Sequence, residues 1–521
     1  MGTAHDHLIW HPLGDSAVIT TCEDPADLAR QLREDRPAAC LDVVSSYHHL
    51  AVYFQPHDFT LIQCWLKHFP YGNSPSDHRI HRIPIWYDPK WIAELASQLN
   101  HPPESIRALH ETTTFTVAAL GFSPGFPYLT GLPAELHLPR KATPEHLPAG
   151  TVAIAANQAG IYPNASFGGW HPLGRTDLPL FNPRTDPPTT LQPGDKVLFE
   201  AVSEPISPSP FSKLPLPEKA AVALIESAGP ATSLQSSGRS GHRHLGVTPG
   251  GSADPAMSAA LNLLLGNARG TTCLEFALEA PVLRFLQPCQ LAFLGPLHRQ
   301  AGQVITMREG QILDLRRCPM QSSFGVLAIA GGFAAEEVLG SCATDVRANF
   351  GGQILQSGDS LLPANHPPLS QASKHQLRWP LLNSPSQTIR ILDGEQADWF
   401  TENLSDLTFQ KSARFDRTAA RLSGPPLTPA STAELTSRPI LAGAIQIPPD
   451  GSPTVLLPEC QTIGGYPVIS YVISADLPAL IRAKPGTRIQ FQKVTLQEAR
   501  RAWQAAQREL AILETGLTLG T

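Results

Sequence analysis

Residues 464–494 read GGYPVISYVISADLPALIRAKPGTRIQFQKV. In this stretch a Gly-Gly-aromatic triplet is followed by an apolar run, by Asp476-Leu477-Pro478, and by the turn Pro485-Gly486-Thr487. The turn leads into RIQFQKV, whose alternation of apolar and polar residues marks a half-buried strand. The same marks occur twice more. Gly168-Gly169-Trp170 is followed by Asp177-Leu178-Pro179 and by Pro193-Gly194-Asp195 entering KVLFEAV; Gly331-Gly332-Phe333 is followed by Ser357-Gly358-Asp359 entering SLL. From first glycine to turn glycine the spacings are 26, 27 and 22 residues in chain order. Three related β modules in series are expected.

The rest of the chain fits around them. With 521 residues, and roughly 150 per domain, three to four domains are expected. Gly and Pro are abundant, at 39 and 51 residues, which favours a turn-dense and mainly β architecture. Hydrophobic residues make up 42% and the net charge is only −6, a composition that buries a core and argues against disorder. Residues 203–217, SEPISPSPFSKLPLP, read as a semi-rigid linker. The expected plan is an α+β domain over 1–95, a barrel over 96–202, a linker over 203–219, and two further barrels over 220–375 and 376–521. Asp24-Pro25, Asp88-Pro89 and Asp254-Pro255 each open a run with helical spacing, and the segment around Phe59–Phe69 is also helical in pattern. Gly266 is expected to end the third of the Asp-Pro helices. A last helix starts at Thr495 with Glu498 as its capping-box partner and has Gly516 at its far end.

Several function classes fall away. Lys and Arg total 39 against 45 Asp and Glu, so no basic field recruits nucleic acid or an anionic membrane. The longest apolar run, near Phe324–Ala335, is too short for a bilayer. The first residues lack a signal-peptide pattern and the eight cysteines are scattered singletons, so a reducing cytoplasm is expected. The sequence contains no P-loop, no dinucleotide-binding glycine motif and no metal-spaced His or Cys cluster.

The candidate chemistry lies in loops. Gly121-Phe122-Ser123-Pro124-Gly125 matches a nucleophile elbow in letters only, because Pro124 has no N–H to offer an oxyanion. GFSPGFPYL is a rigid loop with Phe122, Phe126 and Tyr128 expected exposed or half-buried; it is either a plain turn or one wall of a ligand pocket. Residues 235–267 are the densest stretch. Gly238, Gly241, Gly246, Gly250 and Gly251 alternate with Arg239, His242, Arg243 and His244 before a helix start at Asp254. Glycines with adjacent N–H groups and an Arg make an anion nest; Asp254 reads as a helix cap or as part of the site. Glu275, in CLEFAL, reads as a buried carboxylate or a surface one. Arg140 and Arg175 flank the first Gly-Gly loop and Gln461-Thr462 precede the last; the arginines suit carboxylate forks or surface ion pairs.

These motifs carry a resemblance. GFSPGFPYLTGLP, LPR, LPAGTVAIA, GIYP and GGWHPLGRT resemble the B subunit of bacterial 5-oxoprolinase, in a family that includes a sporulation-kinase inhibitor and homologues of allophanate hydrolase subunit 1. GRSGHRHLGV, PGGSADP, NLLLGN, LEF, GAIQIPPDGSP and QTIGGYP resemble the C subunit and the carboxyltransferase region of urea amidolyase. The whole resembles a B–C fusion. The resemblance implies cyclophilin-like barrels, one in the first half and two in the second. It also implies ATP- and Mg²⁺-dependent opening of 5-oxo-L-proline to L-glutamate, together with a separate A-like subunit.

On motif position and local chemistry together, the candidate catalytic residues are Arg239, Asp254, Glu275 and Arg175. The candidate substrate and ATP contacts are Gly125, Phe126, Tyr128, Arg140, Tyr162, Gly168, Gly169 and Trp170 in the first half, with Gly241, His244, Gly250, Gly251, Gln461, Thr462, Gly464, Gly465 and Tyr466 in the second. No residue is assigned to a metal, and self-association is left open. Compared with the family pattern, Ser236 replaces an Asp, Glu145 an Arg, and Phe167 a Pro; Ser252-Ala253 and Glu459-Cys460 replace Ala-Met and Asp-Arg. The alternatives are a carboxyltransferase component of a biotin-dependent urea or amide carboxylase, and a non-enzymatic histidine-kinase regulator.

Overall fold

Asp24, Asp88 and Asp254 each cap a helix that begins at the following proline. Their carboxylates accept from Asp27 N, from Lys90 and Trp91 N, and from Met257 N, starting helices Pro25–Glu34, Pro89–Leu99 and Pro255–Leu264. The last of these ends at Gly266, which is left-handed at φ +74°. Phe59–His68 is helical as its pattern requires. Thr495 and Glu498 exchange their capping-box bonds, and the helix they start runs Leu496–Leu519, straight through Gly516. A glycine stops a helix only where the chain takes up a left-handed residue, and Gly516 does not.

The computed structural model describes residues 8–72, 78–141, 143–209, 220–369, 376–377, 386–431 and 435–519. Part of the expected linker, 210–219, lies outside them. Among the described residues no helix is long and apolar enough to cross a membrane.

The N-terminal unit is a four-stranded antiparallel sheet in the order 11–13, 17–21, 49–54, 40–46, with the two helices at 25–34 and 59–68. Strand Ile80–Tyr87 leaves it and pairs in parallel with Lys196–Ala201, so residues 80–95 belong to the first barrel rather than to the N-terminal unit. That barrel closes with seven strands, and a second seven-stranded barrel closes between 386 and 493. Numbered locally along the chain, both run first, sixth, fourth, fifth, third, second, seventh around the ring. In both, the first and seventh strands are the parallel pair (80–87 with 196–201; 386–393 with 488–493). Each barrel also carries a two-stranded flap: 145–147 with 166–168, and 438–439 with 463–464. The Gly-Gly triplets at 168 and 464 therefore hold equivalent places, at the end of the flap and just before the sixth strand.

The third triplet does not. Strands between residues 223 and 361 form a four-stranded and a five-stranded sheet around one core, and Gly331-Gly332 follow strand Phe324–Ile329 in left-handed conformations. Strand Ser360–Leu361, after Ser357-Gly358-Asp359, pairs antiparallel with Ala223–Ser227. This middle module thus contains the same local marks in a different strand order. Mainly β architecture in tandem modules, two of them closed barrels, is the result.

The modules pack into one body. A continuous apolar cluster joins Ile19, Val44 and Tyr53 of the N-terminal sheet to Phe126, Tyr128, Tyr162 and Trp170 of the first barrel and to Ile440, Cys460, Ile463 and Tyr471 of the second. Polar ties reinforce this seam. Ser46 Oγ donates to Ser437 O at 2.6 Å, Tyr53 Oη to Ile440 O at 3.0 Å, and Ser474 Oγ to Asp15 at 2.6 Å.

Candidate functional site

The loop Gly121–Phe126 is pressed against the other half of the chain. Gly125 N donates to Leu245 O at 2.8 Å. A Cβ on Gly121 would stand 2.2 Å from Ile463 Cγ1. Phe126 and Tyr128 are consequently buried, at 2% and 7% exposure, rather than open to solvent. The sequence could not reveal this, because part of what covers them, Ile463, lies more than 300 residues away.

The aromatic side chains form a connected floor. Phe126 lies edge-on to Tyr128 at 4.9 Å, Tyr162 at 5.1 Å and Trp170 at 5.7 Å, and Phe122 meets Phe126 at 5.3 Å. Tyr162 fills the space beside Gly168, where a Cβ would meet its hydroxyl. Burial raises the Tyr128 hydroxyl to about 12, against the pull of Arg140, a hydrogen bond with Ser437, and Arg347. Ser437 belongs to the second barrel, and its Oγ lies 3.5 Å from where a Gly465 side chain would begin. Trp170 of the first Gly-Gly loop and Ile463, just before the second, share one apolar cluster.

Arginines rim this seam. Lys141 N donates to Gly169 O at 2.8 Å, which holds Arg140 beside the first Gly-Gly loop. Arg347, from the middle module, lies 5.5 Å over the Phe122 ring. Arg243 lies 4.7 Å over Tyr53 and donates to Ile440 O. Cys460 is fully buried here, its thiol pushed up to about 11 by burial against the opposing pull of Arg243 and Arg347. Such a thiol stays protonated and does not attack.

A second cluster lies at the junction of the middle module and the second barrel. Arg417 pairs with Glu275 and Glu459 and donates to Gly251 O. The other Glu275 oxygen accepts from Ala253 N at 2.7 Å and Ser252 Oγ at 3.1 Å. Burial raises the Glu459 carboxyl, with Arg417 opposing. Asp254, besides capping its helix, pairs with Arg482. Arg239 is 1% exposed; its guanidinium donates to the carbonyls of Val338, Ser341 and Ala343 and lies 4.7 Å over Phe350. Only its Nη1 lacks a partner, and it faces Gly250. His244 is also committed: Nδ1 and the backbone N both bind Asp42, at 2.9 and 3.2 Å. These groups join modules, and most of their hydrogen-bonding capacity is already used.

Two relationships decide the family. A carboxyltransferase domain, subdomains C and D, matches residues 4–191, and a carboxyltransferase domain, subdomains A and B, matches 245–493. The chain is 34% identical over 286 residues to the 5-oxoprolinase C subunit of Haemophilus influenzae, covering 51% of this chain and 89% of that protein. It is 36% identical over 204 residues to the 5-oxoprolinase B subunit of Escherichia coli O157:H7, covering 36% of this chain and 93% of that one. The chain belongs to the family of the 5-oxoprolinase B and C subunits. Both halves are present in one chain, as in the crystal structure of the protein designated TTHA0988, which matches at a TM-score of 0.80 and 32% identity over 93% of this chain and 99% of that one. Urea carboxylase of Kluyveromyces lactis, at 23% identity and a TM-score of 0.51 over 58% of this chain and 30% of that one, shares the fold of that part.

Within this B–C chain the structure gathers most of the sequence candidates into two groups. Phe126, Tyr128, Arg140, Tyr162, Gly168, Gly169, Trp170, Gln461, Thr462, Gly464, Gly465 and Tyr466 surround the seam. Arg239, Gly250, Gly251, Asp254 and Glu275 line the ionic junction. Gly125, Gly241 and His244 lie on the contact between halves. Arg175 joins neither group; it stacks 5.4 Å over Trp86, four residues beyond His171 on the sixth strand. Arg347, Ser437, Arg417 and Arg482 were invisible to motif reading. Arg417, in SARFDRTAARL, is one of three arginines in eight residues, and only its burial distinguishes it.

Proposed function

We propose that this chain is the B/C component of an ATP-dependent 5-oxoprolinase, acting with a separate A-like subunit. The γ-phosphoryl group of ATP passes to the carbonyl oxygen of 5-oxo-L-proline and ADP leaves. Water then adds to the activated ring carbon, the C–N bond breaks with its electron pair and a proton going to nitrogen, and a second water releases inorganic phosphate to give L-glutamate, steps completed with the A-like subunit. The observation that carries this reading is the seam, where the GFSPGF loop of the first half packs on Ile463 of the QTIGGYP loop of the second. The relatives named as the B and C subunits of 5-oxoprolinase each account for one of those halves.

The residues present suit a phosphate-bearing ligand. Among the described residues, neither Arg140 nor Arg347 has a carboxylate partner, so both forks are available to phosphate oxygens. Mg²⁺ is usually carried on nucleotide phosphates with one or two carboxylates. Glu145, exposed opposite Gly168 in the flap and paired with Lys141, is the carboxylate the flap offers, and a metal ion would displace that pairing. Tyr466, exposed at the second Gly-Gly loop, presents a ring face for a base.

The test is release of L-glutamate from 5-oxo-L-proline by the full chain and its A-like subunit with ATP and Mg²⁺. Release that requires both proteins and ATP is expected; none in the complete mixture overturns the reading. The carboxyltransferase descriptions of both matched domains favour a second reading, transfer of a carboxyl group from a biotin-bearing partner to a small amide. Bicarbonate- and biotin-dependent turnover in place of glutamate release would establish it.

A further inference from the structure

A pocket of about 330 Å³ opens on the middle module beside the start of helix Pro255–Leu264. None of the seam residues lines it. Ser237, Gly238, Gly251, Arg269 and Thr271 are among those that do, and no lining residue is acidic. Three loops thus bring polar groups to one space, and these groups are uncommitted. Arg269 gives Nη2 to Glu514 of the C-terminal helix and keeps Nε and Nη1 free among the described residues. The hydroxyls of Ser237 and Thr271 have no partner among them either. Gly251 is buried, yet neither its N–H nor that of Gly238 has an acceptor among the described residues. Buried backbone N–H groups are nearly always paired, so an acceptor belongs in this space.

The other groups nearby are already spent. Asp254 accepts from Met257 N and Pro255 has no N–H, so the helix terminus itself offers little. Ser252 donates to Glu275 and Ser258 lies 2.5 Å from Ser252, which turns that pair toward the buried carboxylate, and Arg417 neutralises Glu275 behind it. Arg239, the cation nearest the glycines in sequence, donates to three carbonyls and does not line the pocket.

We propose that this pocket binds an oxyanion of the phosphate class, held by Arg269, the hydroxyls of Ser237 and Thr271, and the N–H groups of Gly238 and Gly251. An ionised phosphate oxygen only accepts, and a wall of free donors without a carboxylate matches it. A cation finds no counter-charge in the lining. The ion has two sources: inorganic phosphate, which the proposed reaction releases, and the phosphate end of a nucleotide. The choice between them rests on the oxoprolinase reading; the oxyanion site does not.

Calorimetric titration of the full chain with inorganic phosphate at low ionic strength tests this. Binding by wild type is expected, weakened at least about tenfold in Arg269→Met and in Thr271→Val. Both positions are half-buried, and the wild-type unfolding temperature is expected for each; Ser237→Ala replaces either one that departs from it. No binding by wild type, or unchanged binding by the folded variants, overturns the pocket. Loss in Arg347→Met with Arg269→Met unaffected puts the ion in the seam and overturns it too. A non-hydrolysable ATP analogue separates the sources. If it displaces phosphate from wild type and binds Arg269→Met at least about tenfold more weakly, the occupant is a nucleotide's phosphate; if phosphate binds unchanged in its presence, the occupant is the free ion. Either result supports the oxyanion site. Arg269-dependent phosphate binding without glutamate release from the complete mixture defeats the oxoprolinase reading alone. Glutamate release with phosphate binding indifferent to Arg269 defeats the pocket alone.

Discussion

Asp42 illustrates how single residues hold the two halves together. Burial alone would raise its carboxyl, but His244 across the seam, the hydrogen bond between them, and Arg33 bring it down to about 2. An unfolded Asp titrates near 3.9, so the folded state favours the ionised form by about 2–3 kcal/mol. Because the folded pKa is the lower one, this contribution is complete above about pH 4 and is lost as pH falls toward 2. Urea unfolding at pH 5 and pH 3 should therefore show a steeper loss for wild type than for Asp42→Asn; equal losses would remove Asp42 from the account. Gly121 makes a steric counterpart. Its Cβ would meet Ile463 Cγ1 at 2.2 Å, so Gly121→Ala should cost about 1–3 kcal/mol by overpacking the seam, read as a lowered unfolding midpoint.

At the scale of elements, the ionic junction makes the sharpest claim. Arg417 neutralises Glu275 and Glu459 where the middle module meets the second barrel. Removing one partner of a buried pair strands the other charge, at about 3–5 kcal/mol. Arg417→Met should destabilise by that amount in chemical denaturation, while Arg417→Met with Glu275→Gln and Glu459→Gln should recover a large part of it. A triple variant no better than the single would show that the network does something other than balance charge.

Much of the element level was legible beforehand, and the reason is locality. Asp-Pro caps, the Thr495–Glu498 box and the Gly266 stop depend on atoms within one turn of each other. The marks at 168 and 464 identified two equivalent flaps because each barrel repeats the same local turn chemistry. Gly331-Gly332 carried the same letters, but strand order depends on pairings across many residues, which no triplet encodes. The site divided in the same way. Arg140, Tyr128 and the Gly-Gly loops were readable as motifs; Arg347 and Ser437 owe their place only to packing between modules.

For the whole molecule, the central claim is that the site belongs to neither half alone. Arg140 comes from the first half, beside the first Gly-Gly loop, and Arg347 from the second, over Phe122; the charges of both oppose the rise of the Tyr128 hydroxyl. A phosphate contact from one arginine contributes about 1.5–3 kcal/mol. The most direct measurement is 5-oxoproline-dependent ATP hydrolysis by the full chain with its A-like subunit, comparing wild type with Arg140→Met and Arg347→Met. The account predicts that each substitution, one in each half, raises the KM for ATP at least about tenfold in a protein that unfolds at the wild-type temperature. Wild-type turnover with either variant indistinguishable from it would contradict a site shared across the seam.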